Sequence, residues 1–278
     1  MRDDLAAATA TLARAGVETA RADAEWLLAG LLGVGRASLA LGLDRGLDAD
    51  VARRYDVAVR RRAAREPLQW ILGWEGFRGL RLRVSCDVLV PRPETETLVD
   101  WALDLVPEPR LALDVGTGSG CIACSIAVER RSARVVAIDA SPAAAAVARS
   151  NVLSLGVGDR VRVVVSNMLA SIGAVGADLI VANLPYIPTP TLATLAPEVV
   201  RHEPRVALDG GPDGLTAIRR LIATAGARLA RGGVLVLETA GGTQTPVVVE
   251  LMRTAGFTGV ATRADLPGVE RFVAGRAG

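Results

Sequence analysis

From about residue 111 onward the chain alternates apolar runs with amphipathic stretches, and this constrains its fold more than any other feature. Short runs rich in Val, Ile and Leu occur at 111–115, 134–138, 161–165, 178–181 and 234–237. Between them, helical spacing runs over about 121–130, 142–155, 215–230 and 246–255. Continuously apolar strands are those buried on both faces, and strand-then-helix repetition requires crossovers. The pattern therefore predicts an α/β fold, a mostly parallel sheet with helices on both sides. Two last runs, at 258–262 and 271–273 around Leu266-Pro267-Gly268, predict strands added in antiparallel sense.

The chain before this region is of another kind. Residues 3–66 read as helices, with Leu5, Ala8 and Leu12, then Ala24, Leu27, Leu28 and Leu31, at helical spacing, and with Gly16 and Gly33 as stops. The last of these helices, about 48–65, carries Arg53, Arg54, Arg60, Arg61, Arg62 and Arg65. Such a run is either a solvated face or a docking surface for an acidic or phosphate-bearing partner. Trp74 to Phe77 and Leu80 to Val84 alternate across Arg78-Gly79, the pattern of a β-hairpin. Trp70, Trp74 and Phe77 read as packing residues. In Pro91-Arg92-Pro93-Glu94-Thr95-Glu96, a proline at the first turn followed by acids marks a helix start, with the helix running to about 106. The expected organisation is a helical domain at 1–66, a linker and hairpin at 67–90, and the α/β domain at 91–278.

Composition excludes several classes. No apolar run approaches the roughly 20 residues of a membrane span, and the acidic start Met1-Arg2-Asp3-Asp4 is unlike a signal peptide. Three cysteines in 278 residues do not make a disulfide framework, so a cytoplasmic protein is expected, away from membranes. A formal net charge of +2 argues against a broad nucleic-acid surface. Cys121 and Cys124 have CxxC spacing but lack a second pair, and with a single histidine, His202, no metal site is expected.

The chemistry sits at successive strand ends. Asp114-Val115-Gly116-Thr117-Gly118-Ser119-Gly120 joins the first strand of the alternating region to its helix. Glycines there let a ligand approach the backbone, but Cys121 stands where a dinucleotide fingerprint needs its last glycine. Asp139 ends the next strand, where an acid can accept both hydroxyls of a ribose. Asn167-Met168 follows the third, with an amide for an exocyclic amine and a thioether to pack on a ring. Acid, GxGxG, second acid and Asn-Met together point to S-adenosylmethionine. After the fourth strand comes Asn183-Leu184-Pro185-Tyr186, a flat amide fork, a stiffened backbone and an aromatic wall.

With these residues in place the chain resembles the bacterial release-factor glutamine methyltransferases, the PrmC/HemK family, over nearly its whole length. The likeness is carried by Glu66-Pro-Leu-Gln-Trp-Ile-Leu-Gly73, Phe77-Arg-Gly79, Val90-Pro-Arg-Pro-Glu-Thr-Glu96, the Asp114 to Gly120 loop, Asn183 to Tyr186, and Glu203-Pro-Arg-Val-Ala-Leu-Asp-Gly-Gly-Pro-Asp-Gly-Leu215. The resemblance implies an N-terminal helical bundle that docks substrate, a linking hairpin, and a class I methyltransferase domain with a seven-stranded Rossmann-like sheet. It implies methyl transfer from S-adenosyl-L-methionine, leaving S-adenosyl-L-homocysteine. The acceptor would be the glutamine of the Gly-Gly-Gln loop in class 1 peptide-chain release factors. Asn183, Leu184, Pro185 and Tyr186 would be catalytic. The cofactor would be held by Asp114, Gly116, Thr117, Gly118, Ser119, Gly120, Asp139, Asn167, Met168 and Asn183. A monomer that makes no direct contact with nucleic acid is expected.

Two residues depart from the family pattern: Leu184 stands where the family has the first proline of Asn-Pro-Pro-Tyr, and Asn167 where it usually has Asp. The rival readings are an adenine amino-methyltransferase on DNA or RNA, whose substrate amine poses the same problem, a glutamine methyltransferase for a ribosomal protein, and a non-catalytic homologue that only binds cofactor or release factor.

Overall fold

A computed structural model describes residues 1–41 and 46–278 of the chain. Helices α1 (Arg2–Arg14), α2 (Ala20–Leu32), α3 (Ala49–Ala63) and α4 (Leu68–Leu72) precede a hairpin of β1 (Trp74–Phe77) and β2 (Leu80–Arg83). After α5 (Pro93–Leu105) follow β3 (Leu111–Val115), α6 (Cys121–Glu129), β4 (Arg134–Asp139), α7 (Pro142–Ser154), β5 (Val161–Val165) and β6 (Ala177–Ala182). The chain then forms α8 (Pro197–His202), α9 (Thr216–Ala225), β7 (Leu229–Glu238), α10 (Gln244–Thr254), β8 (Thr258–Ala264) and β9 (Glu270–Arg276). The described residues divide into two compact units, Met1–Trp74 with Leu195–His202, and Glu75–Thr194 with Glu203–Gly278.

In the first unit, Leu5, Leu12, Leu27, Leu28, Tyr55 and Val59 form the core, each at helical spacing on its own element. The arginines of α3 and the turn after it are paired. Arg53 meets Asp50, Arg60 meets Asp56 at 2.7 Å and Arg61 meets Glu66 at 2.5 Å. Arg62 is buried against Asp23 at 2.7 Å, and both Arg62 and Arg65 hold Glu198, at 2.8 and 2.7 Å. Neutralised in this way, the run is a paired face rather than a field of free cations. Trp74 stacks edge-on against Trp26 at 6.0 Å, and Trp70 against His202 at 6.4 Å.

The second unit holds a seven-stranded sheet in the order β5-β4-β3-β6-β7-β9-β8, parallel as far as β7, with β9 antiparallel to both β7 and β8. Alternation within each strand assigns its residues to opposite faces. Ala112, Ala137, Leu179 and Val236 pack toward one layer, where Phe77 is also buried, while Leu113, Ile138, Ile180 and Leu235 pack toward the other. Local signals set the helix starts. Pro93 occupies the first turn of α5, and the Ser141 hydroxyl accepts the Ala144 N–H at 3.2 Å to cap α7 behind Pro142. In the hairpin, Arg78 (φ +49°) and Gly79 (φ +74°) both take left-handed backbone, the turn that matches strand twist. The helix expected over 215–230 stops at Ala225 instead, because Leu229 is drawn into the sheet beside Ala177. Among the described residues no helix is long and apolar enough to cross a membrane.

Candidate active site

Strand order reverses at β3, which has β4 on one side and β6 on the other. The crevice outside the carboxyl ends of such strands is where open α/β sheets bind ligands. A cleft of about 700 Å³ opens there, lined among others by Gly116, Gly118, Asp139, Asn167, Met168, Asn183, Leu184 and Pro185. Eight of the thirteen residues that sequence alone singles out thus share one wall system. Asp114, Thr117, Ser119, Gly120 and Tyr186 lie behind it.

Those behind the wall hold it in shape. Asp114 is fully buried, and its Oδ2 accepts the Thr117 hydroxyl at 2.5 Å and the Ala123 N–H at 3.0 Å. Burial pushes its pKa up to about 7, and its Oδ1 has no partner among the described residues. Gly116 and Thr117 donate their N–H groups to the Ile138 carbonyl, and Gly118 donates to Asp139 Oδ2 at 2.9 Å. The other Asp139 oxygen accepts from Ser141 N at 2.9 Å, so this acid anchors the loop and the start of α7 together. The carbonyl of buried Ser119 takes the Asn151 amide at 2.8 Å. Gly120 (φ +82°) lies so near α7 that a Cβ would stand 3.3 Å from that of Ala148. Cys124 is buried beside this loop with its thiol pushed up to about 12, and among the described residues no cluster suited to a metal occurs.

Asn167 carries a contact that sequence did not signal: its Oδ1 accepts from Arg220 Nη2 at 3.1 Å, and Arg220 also lines the cleft. Met168 is held at φ +54°.

Beyond β6 the fork is held by residues distant in sequence. Asn183 Nδ2 donates to the Thr95 hydroxyl at 2.9 Å, which donates to Glu238 Oε2 at 2.8 Å. Tyr186 donates its hydroxyl to Glu238 Oε1 at 3.2 Å, and its backbone carbonyl accepts Gln244 Nε2 at 2.8 Å. Burial and the neighbouring carboxylate push the Tyr186 phenol well above its ordinary range. Leu184 is buried, and a Cβ on Gly116 would come within 2.9 Å of its Cδ2, so side-chain packing seats this backbone.

The segment from Glu203 to Leu215 straps the fork from outside. Glu203 accepts from Arg92 at 2.5 Å, and Ile187 exchanges backbone bonds with Leu208 and Gly210. A Cβ on Gly210 would meet the Pro185 carbonyl at 2.7 Å. Only glycine permits that approach. Thr95, Glu238 and Gln244 escaped sequence reasoning. For Glu238 a signal existed: an acid directly after the apolar run 234–237, the same placement that marked Asp139.

A family model described as the PrmC N-terminal domain matches residues 4–73, and one described as the methyltransferase small domain matches 96–211. The release factor glutamine methyltransferase of Geobacter sulfurreducens is 42% identical over 267 residues, 96% of this chain and 93% of that protein. The one from Cereibacter sphaeroides is 43% identical, covering 99% and 97%, and that from Deinococcus radiodurans 44%, covering 99% and 98%. Among solved structures, the hMettl16 catalytic domain in complex with MAT2A 3'UTR hairpin 1 aligns with a TM-score of 0.60 at 18% identity, over 83% of this chain and 81% of that one. A methyltransferase from Pyrococcus furiosus aligns with a TM-score of 0.55 at 18% identity, over 81% and 98%. At such identities the likeness is one of fold.

Proposed function

This chain belongs to the release factor glutamine methyltransferase family, and on that premise we propose that it methylates the side-chain amide nitrogen of the glutamine in the Gly-Gly-Gln loop of class 1 release factors. The methyl source in this reading is S-adenosyl-L-methionine. The observation that carries the reading is the Asn183 amide, whose nitrogen is engaged by Thr95 and whose oxygen is left for a substrate N–H at the cleft.

The residues present fit the cofactor. A cleft of about 700 Å³ suits one molecule of its size. A Cβ on Gly118 would meet nothing within 4 Å, leaving backbone open to a ligand, while Asp139 and Asn167-Met168 supply acceptors and a soft surface. Bound there, the sulfonium supplies an electrophilic methyl group. Gly116, Gly118, Asp139, Asn167 and Met168 would hold it, with Asp114, Thr117, Ser119 and Gly120 keeping the loop in shape. Asp139→Ala removes the acceptor of two backbone N–H groups as well as one for the ribose. Calorimetry is expected to find affinity for the methyl donor lower by roughly 10- to 100-fold, from charged hydrogen bonds worth about 1.5–3 kcal/mol each.

A carboxamide nitrogen is a poor nucleophile because its lone pair is delocalised into the carbonyl. The fork therefore has to align rather than deprotonate. Asn183 Oδ1 and the Leu184 carbonyl accept the two N–H groups of the substrate amide, turning its lone pair toward the methyl group. The Tyr186 ring packs against the amide plane. Leu184 has the same backbone carbonyl as proline and precedes Pro185, which biases it to extended geometry. Its buried side chain adds a constraint of its own. Leu184→Pro exchanges about 1 kcal/mol of backbone entropy for lost packing, so turnover is expected within about tenfold of the parent; a far larger gain would mark Leu184 as disabling.

The helical unit with Leu195–His202 is the proposed docking element for the protein substrate. The test is incubation with labelled S-adenosylmethionine and, in parallel, an unmethylated release factor or an oligonucleotide, followed by mass spectrometry of the modified residue. Label on the Gly-Gly-Gln glutamine is the expected result. Label on an oligonucleotide instead, or release-factor binding without transfer, would overturn the reading.

A further inference from the structure

We propose that Glu238 is a positioning residue: through the Thr95 hydroxyl it dictates which end of the Asn183 amide is offered to the substrate. The inference rests on the reading of Asn183 given above and deepens it.

An ionised carboxylate only accepts hydrogen bonds, whereas a hydroxyl has one proton to give. Thr95 gives its proton to Glu238 Oε2 at 2.8 Å. Toward Asn183, 2.9 Å away, the same oxygen can then only accept, and this selects the Asn183 nitrogen. Oδ1 is left at the cleft as an acceptor. The Tyr186 hydroxyl donates to Glu238 Oε1 at 3.2 Å, so one carboxylate orients both ends of the 183–186 stretch. Glu238 is 1% exposed at the end of β7, and burying a carboxylate is costly unless its partners offset the loss of water.

The groups facing Glu238 are Thr95 and Glu94 from α5, Tyr186 from the fork, and Arg271 from β9, itself engaged with Asp265 at 2.6 Å. Burial outweighs Arg271 and pushes the Glu238 carboxyl up to about 7. The sign follows. Above that pH the carboxylate takes the Thr95 proton and Asn183 is correctly turned. Below it, a proton on Oε2 is donated to Thr95, whose own proton then turns toward Asn183 and selects its oxygen. Turnover at saturating methyl donor is therefore expected to fall as pH drops through about 7. Asp114 is also pushed up to about 7, but it supports the glycine loop, so its titration should act on methyl-donor affinity.

The experiment compares full-length parent, Glu238→Gln, Thr95→Val, Thr95→Ser and Asn183→Ala, with an unmethylated release factor as acceptor. It reads kcat against pH at saturating methyl donor, with methyl-donor affinity by calorimetry. Glutamine at 238 can donate to Thr95, so kcat is expected to drop roughly 10- to 100-fold at alkaline pH. Methyl-donor affinity should be unchanged and the rising limb near neutrality absent. Thr95→Val should share the loss, and Thr95→Ser should recover most of it. Parent-like kcat with the same pH limb in Glu238→Gln overturns the proposal, as does a Thr95→Val protein equal to Thr95→Ser. Should Glu238→Gln fail to fold, the Thr95 pair decides. An inactive Asn183→Ala beside a normal Glu238→Gln sinks the positioning role alone, whereas an active Asn183→Ala overturns the reading of the fork as well.

Discussion

Asn183→Ala is expected to lower kcat by on the order of 10²- to 10³-fold, with most of the loss in turnover and little in methyl-donor affinity. The side chain lost is the one whose nitrogen is tied to Thr95 at 2.9 Å, so its oxygen has no rotational freedom to lose in the reaction. A preorganised acceptor of this kind acts without reorganisation when charge develops on the substrate nitrogen. In the proposed mechanism alanine leaves the Leu184 carbonyl as a single acceptor, unable to turn the amide plane by itself. Steady-state kinetics with a release factor and calorimetry with S-adenosylmethionine separate the two effects. Turnover within tenfold of the parent would remove the fork from the mechanism.

Gly214→Ala should be the most damaging single methyl group in the second unit. Gly214 sits at φ +78°, where a side chain costs roughly 1–2 kcal/mol. Its Cβ would also collide with the Tyr186 carbonyl and the Gln244 amide. Neither neighbour can yield cheaply, because the two are bonded to each other at 2.8 Å. Strain and the broken bond together are expected to cost about 3 kcal/mol or more. Thermal unfolding should register roughly 6–12 °C, on the scale of about 2–4 °C per kcal/mol for a domain of this size. Turnover should fall with it, since the Tyr186 backbone is displaced. A melting temperature within about 2 °C of the parent would mean that the strap moves freely over the fork.

That collision also explains why the stretch ending in Asp213-Gly214-Leu215 could be recognised in sequence without its purpose being legible. Gly210 and Gly214 touch Pro185 and Tyr186 backbone-to-backbone, and such contacts leave no periodicity to read. Leu184 was the reverse case. Sequence marked it as a departure, and the structure adds that its side chain is buried beside Gly116.

What the sequence determined by itself was what local physics controls. Runs of apolar residues set the strands of the sheet, Pro93 and Ser141 set helix starts, and Arg78-Gly79 set the hairpin turn. The glycine loop, Asp139, Asn167 and Asn183 were likewise visible, because each lies at or just past the end of an apolar strand. Only the tertiary structure decided which groups hold Asn183. Thr95 lies 88 residues before it, and Glu238 lies 143 residues after Thr95. They meet because β6 and β7 are neighbours in a sheet whose order departs from chain order, with α5 packed across them. Hydrogen bonds between buried side chains depend on that order, and no spacing within a single element encodes it.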